Sequence, residues 1–166
     1  AFEDPCGNTT GLGYKTKDRT MHIDTTSPVL VTGATGYVAG WIVHDLLAAG
    51  VSVHAAVRDP DNSAKVAHLA AMADASPGSL TLFKSDLLTP GSYAQAMTGC
   101  TIVFHTASPF TVSVKDPQAD LIDPAVKGTA NVLHQASQTD SVKRVVLTSS
   151  CAAIYGDAAD CANAPN

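Results

Sequence analysis

The chain has 166 residues, 45% of them hydrophobic and 15% charged, with a net charge of −5. That length suits one domain with a buried core, and the composition excludes a disordered chain. An acidic balance without any Lys/Arg cluster argues against a nucleic-acid surface, and no apolar run reaches the length of a membrane span.

Residues 1–27 are rich in Gly, Thr, Lys and Asp and lack periodicity, so they read as a poorly ordered extension before a domain of residues 28–166. Met21 is a natural start, with residues 1–20 upstream of it. The Gly11-x-Gly13 pair has no strand before it and is set aside. From Pro28 onward, strand-like runs at Val29–Val31, Val51–Val57, Leu80–Phe83, Ile102–His105 and Val145–Leu147 alternate with helix-like stretches. The latter are Tyr37–Ala49, Ser63–Ala73, Ser92–Met97 and roughly Asp120–Gln138. Such alternation predicts right-handed βαβ crossovers and a Rossmann-type, doubly wound parallel sheet of about five strands in the order 3-2-1-4-5. Ligand is expected at the switch point between strands 1 and 4.

The first strand runs into Thr32-Gly33-Ala34-Thr35-Gly36-Tyr37-Val38-Ala39, a glycine-rich turn that opens a helix. Gly33 permits the sharp turn, and Gly36 lets backbone approach a pyrophosphate where a Cβ would stand in the way. The free N–H groups and positive dipole end of the helix then hold the anion. Ala39 occupies the third position, where helix packs on strand.

Strand 2 ends Val57-Arg58-Asp59-Pro60. No carboxylate stands at the tip to take a ribose 2′-hydroxyl, whereas Arg58 offers a fork of donors to a 2′-phosphate, which favours NADP (as NADPH) over NAD. Asp59 is also placed to cap the coming turn or helix, and Lys65, in that helix's first turn, is either a second cation for the phosphate or a surface charge. Strand 3 ends Ser85-Asp86-Leu87. Asp86 either accepts from the adenine amino group, with Leu87 packing on the ring, or caps a turn. Tyr93 and Met97 read as core contacts and Asn131 as structural. Small residues at Thr106, Ala107 and Ser108 let backbone lie against the nicotinamide-side ribose, and Phe110, Thr111 and Val112 enter a loop bordering a substrate pocket. Asp116–Pro117 and Asp123–Pro124 mark helix openings. Hydroxyls at Thr148, Ser149 and Ser150 face the same crevice, either to donate to a carbonyl oxygen that gains charge or to end the strand as an ST-turn.

The four cysteines (Cys6, Cys100, Cys151, Cys161) form no CxxC pair and are expected to be reduced thiols of a cytoplasmic protein. The histidines are dispersed, His44 and His134 on helices and His54 and His105 on strands, so packing is expected and metal ligation is not.

Together the motifs VTGATGYVAGW, AAVRDP with Lys65, SDLL-x-PGS, GC-x-x-VFHTASPF, VKGT-x-NVL and VKRVVLTSSCAAIYG resemble the extended short-chain dehydrogenase/reductases of the NAD-dependent epimerase/dehydratase superfamily. The dihydroflavonol 4-reductase and cinnamoyl-CoA reductase branch is the nearest in pattern. The resemblance implies that Gly33, Thr35, Gly36, Tyr37 and Val38 hold the pyrophosphate, and Arg58 and Lys65 the 2′-phosphate. It gives Asp86 and Leu87 to the adenine, Thr106, Ala107 and Ser108 to the ribose wall, and catalysis to Ser150 ahead of Ser149. It implies reduction of a small aldehyde or ketone by NADPH. The family's YxxxK has no match here, since no tyrosine of the chain has a lysine four positions on. The chain therefore reads as the N-terminal part of such an enzyme, inactive alone. An NAD-dependent nucleotide-sugar epimerase or dehydratase, and a non-catalytic NADP-binding regulator, are the alternatives.

Overall fold

Five parallel strands carry the structure, a computed structural model that describes residues 24–109 and 114–153. The order of elements is β1 (Val29–Thr32), α1 (Tyr37–Ala48), β2 (Ser52–Val57), α2 (Ser63–Asp74), β3 (Ser79–Lys84), α3 (Ala94–Met97), β4 (Ile102–His105), a π-helical turn (Gln118–Ile122), α4 (Asp123–Ser137), β5 (Arg144–Leu147) and a 3-10 turn (Cys151–Ala153). The sheet runs β3-β2-β1-β4-β5, with Val31 paired to Ala55 on one side and to Phe104 on the other. This is the doubly wound order expected: β1 to β3 build outward in one direction, and the chain then crosses back to place β4 on the other side of β1 and β5 beyond it. The expected segments 1–23, the loop of Phe110, Thr111 and Val112, and everything after Ala153 lie outside the described residues.

The central strand is buried throughout and apolar up to Thr32 because both its faces are covered. Successive side chains of a strand point to opposite faces, so Leu30 and Val31 serve two separate cores. On one face Val31, Val53 and Ala55 pack with Val43 and Leu47 of α1 and Val66 and Leu69 of α2. On the other, Leu30, Ala56 and Val103 pack with Tyr93, Met97, Val132 and Ala136 from the α3–α4 side. Each such fully buried Val or Leu contributes on the order of 1.5–3 kcal/mol.

Local chemistry sets where the helices begin. Asn62 caps α2, its side chain accepting from the Lys65 N–H at 3.3 Å; the cap is Asn62 and not Asp59. Asp116 Oδ1 accepts from the Gln118 N–H at 2.9 Å and the Ala119 N–H at 3.3 Å, so the aspartate-proline opening leads first into the π-helical turn. The helix-like stretch from about Asp120 is divided at the second expected opening, where Asp123 and Pro124 start α4 afresh.

Among the described residues β5 pairs with β4 alone, and Val146 is 39% and Leu147 51% exposed. An apolar edge strand is a template for association. Leu147→Lys is expected to raise the concentration at which the 166-residue chain begins to scatter light, while leaving its melting temperature in place.

Candidate cofactor-binding site

The carboxyl ends of β1, β2, β3 and β4 surround a cavity of about 450 Å³. It is built from the glycine turn upward. Gly33 leaves β1 with φ +65°, a left-handed conformation that L side chains rarely adopt, and a Cβ added there would come within 3.1 Å of Ala107 Cα. The Gly36 N–H then closes the turn on Gly33 O at 2.8 Å. Gly36 is also the N-cap of α1, which has no side-chain cap and no acidic residue in its first turn. The leading N–H groups of a helix have no acceptor within it, so this end is open to an anion. Ala39 is buried in the core where α1 meets the sheet.

Gly33, Thr35, Gly36, Arg58, Asp86, Leu87, Thr106, Ala107 and Ser108 all line this one cavity. Tyr37 and Val38 do not. Their side chains are 83% and 53% exposed, which leaves only their backbone amides in the turn. Lys65 is exposed in the first turn of α2, outside the lining, and Ser150 stands exposed beyond β5, also outside it. Several contributors went unread in the sequence. Ser85, Tyr93 and Pro109 join the lining, as does Asp120, whose Oδ2 accepts from the N–H groups of Lys115 and Asp116 at 2.9 and 3.0 Å. Tyr93 was legible only as an apolar position on a short helix. It is a core residue and a cavity wall at once, with its pKa pushed up to about 12 by burial and then by the Asp86 charge.

At the far end of the cavity, both readings of Asp86 have support. Its Oδ1 caps a turn by accepting from the Leu88 N–H at 2.8 Å, and the residue also lines the cavity. Leu87 is held from behind by α4. A Cβ on Gly128 would fall 2.4 Å from Leu87 Cγ, and Asn131 Nδ2 donates to the carbonyls of Leu87 and Thr89 at 3.1 and 2.9 Å. Ser85 Oγ is buried without a partner. A cavity with an unpartnered hydroxyl toward one end and an open glycine turn toward the other suits a large polar ligand with phosphates and a heterocycle, so the residues present fit a dinucleotide.

Next to the Thr106–Ala107 wall but outside the lining, buried Thr32 and His105 face each other across β1 and β4. Burial holds His105 below its ordinary value of 6.5. The unfolded chain therefore takes a proton that the folded one resists, and stability falls as pH drops below 6.5 toward the folded-state pKa. Asp120 and Asp123 also have lowered values. The Asp116 N–H, then that of Lys115, acts on Asp120, and the Lys127 hydrogen bond acts first on Asp123. Their contribution is present above 3.8 and is lost only below it. Urea melts at about pH 7.5 and about pH 5.5 are thus expected to show a lower midpoint in acid, and His105→Asn is expected to narrow the gap.

Among the described residues no group of three or more His, Cys, Asp or Glu is placed to hold a metal ion, and no helix is long and apolar enough to cross a membrane. A five-stranded doubly wound sheet with a glycine turn at its switch point defines a Rossmann-type nucleotide-binding domain. The chain belongs to the NAD dependent epimerase/dehydratase family, whose model matches residues 29–165. It is 55% identical over 126 residues to cinnamoyl-CoA reductase CAD2 of Medicago truncatula, covering 76% of this chain and 38% of that enzyme. It is 43% identical over 125 residues to dihydroflavonol 4-reductase of Solanum lycopersicum, covering 75% of this chain and 33% of that one. Among solved structures, Gre2 of Candida albicans in complex with NADPH superposes with a TM-score of 0.65 at 34% identity, over 76% of this chain and 38% of Gre2. The chain thus spans little more than a third of the length of the proteins it matches.

Proposed function

We propose that this chain is the cofactor-binding part of an NADPH-dependent reductase that converts an aldehyde or ketone carbonyl to an alcohol. The observation that carries the reading is Arg58, lining the cavity one residue past β2, where buried Val57 leaves no carboxylate at the strand tip. The cinnamoyl-CoA reductase and dihydroflavonol 4-reductase relatives, and the NADPH complex of Gre2, support it. When bound, NADPH supplies a hydride to the carbonyl carbon.

The chain's own residues bind and orient. The α1 amides at Tyr37 and Val38, with Gly33, Thr35 and Gly36, take the pyrophosphate. Arg58 takes the 2′-phosphate in a two-pronged contact, with Lys65 adding its charge from the first turn of α2. Asp86 accepts from the adenine amino group and Leu87 packs on the ring. Thr106, Ala107 and Ser108 form the wall beside the nicotinamide ribose. Ser150 steadies the carbonyl oxygen as negative charge develops on it. No tyrosine of the chain has a lysine four positions on, so the 166 residues by themselves are assigned binding and not turnover.

Calorimetric titration with NADPH and with NADH tests the reading, with Trp41 fluorescence as a second signal because that indole sits in the first turns of α1 and is 56% exposed. NADPH is expected to bind at least about tenfold tighter. Equal affinities would remove the NADPH assignment, and no binding of either would remove the dinucleotide.

A further inference from the structure

Thr32 Oγ1 has three polar neighbours. The N–H groups of Thr106 and Ala107 point to it from 3.2 and 3.1 Å, and His105 Nδ1 lies 2.9 Å away. A hydroxyl oxygen accepts two hydrogen bonds and donates one. The two amides can only donate, so they occupy both lone pairs, and the hydroxyl proton goes to His105. Nδ1 is therefore the acceptor, and the neutral ring carries its proton on Nε2. A proton on Nδ1 would meet a hydroxyl with no lone pair to offer. His105 is 1% exposed and Thr32 0% exposed, and Nε2 has no hydrogen-bond partner among the described residues, so the ring's polar contact within the fold is the one at Nδ1.

What this arrangement holds is the cavity wall. The Thr106 hydroxyl also donates to the Thr32 carbonyl, so β1 and the start of the loop after β4 are tied at three points. That loop includes Ala107, whose Cα a Gly33 Cβ would approach to 3.1 Å. Without an acceptor at Nδ1, the Thr32 hydroxyl is free to rotate, and its lone pairs no longer face both amides.

We propose that His105 is a positioning residue for the bound dinucleotide: as the Nε2–H tautomer it orients the Thr32 hydroxyl, which holds the 106–107 backbone against the glycine turn and so sets the wall beside the nicotinamide half. This rests on the cofactor reading above, and it concerns one end of the ligand only. The adenosine end, at Arg58 and Asp86, lies past the ends of β2 and β3.

The test uses the full chain and two probes, NADPH and 2′,5′-ADP, the latter lacking the nicotinamide half. His105→Leu is expected to weaken NADPH by about tenfold, the worth of one buried hydrogen bond, and to leave 2′,5′-ADP unchanged. His105→Asn, which keeps an acceptor near the Nδ1 position, is expected to recover most of the loss. In the unsubstituted chain, nitrogen-15 histidine spectra are expected to show an unprotonated Nδ1 and a protonated Nε2 for this ring. A proton on Nδ1 overturns the proposal whatever binds. Equal losses for both probes, or no loss for either, overturn it as well. A chain that binds neither probe refutes the cofactor reading, and the positioning role falls with it.

Discussion

Arg58→Ala is expected to weaken NADPH by about 1–3 kcal/mol, roughly tenfold to a hundredfold, with NADH almost unchanged. The contrast follows from what each ligand offers. Only NADPH carries the 2′-phosphate, and only a guanidinium presents paired donors in a plane that matches it. Arg58 is exposed and makes no hydrogen bond or ion pair with any described residue, so its removal leaves the fold's contacts as they were. The melting temperature of the variant should therefore equal that of the parent chain. Because the site is open to solvent, added salt should shrink the NADPH advantage. Parallel calorimetric titrations of the two cofactors at low and moderate salt measure both effects. Equal losses for NADPH and NADH would show that the arginine supports its loop and does not read the phosphate.

Gly33→Val should have the larger effect on the protein itself. At φ +65° a β-branched residue is strained by about 1–2 kcal/mol before any contact is counted. Its Cβ would then press on Ala107 Cα and Cβ at 3.1 and 3.2 Å, both on the wall of the same cavity. Overpacking of this kind costs about 1–3 kcal/mol more. The strain can be relieved only by moving the turn or the β4 loop, and both line the cavity. A lower melting temperature together with lost cofactor binding is expected. Gly36→Ala is the control. The Gly36 φ of −79° suits any residue, and its Cβ would meet only the Gly33 carbonyl, at 3.2 Å. That variant should melt close to the parent and lose affinity for the pyrophosphate.

The parts of the site that were legible in the sequence are those where one residue's chemistry and one strand end coincide. An apolar run, two glycines and a helical period place Gly33 and Gly36 at a strand-to-helix turn, and that is where they are. Arg58 and Asp86 follow strand ends by one and two residues, and strand ends are where a doubly wound sheet opens. Lys65 shows the limit of spacing. Position in a helix's first turn locates a Cα, while the reach of a long side chain depends on rotamers that sequence does not state. Tyr93 and Ser85 show another limit, since an apolar or small position looks the same whether it faces a core or a cavity floor. Asp120 reads only as the approximate start of a helical stretch, and its place on the cavity comes from the π-helical turn that the Asp123–Pro124 step sets off from α4. Thr32 and His105 are partners only because β1 and β4 are neighbours, 73 positions apart in the chain.

The seat of Leu87 against Gly128 has a consequence for how this domain can be recombined. A bare backbone at 128 and an amide at Asn131, 44 positions from Leu87, make the segment after β3 and the helix α4 a matched pair. Grafting either one alone from a homologue brings a side chain into an occupied place or strands two carbonyls. Only chimeras that transplant both should retain the donor's preference for the base.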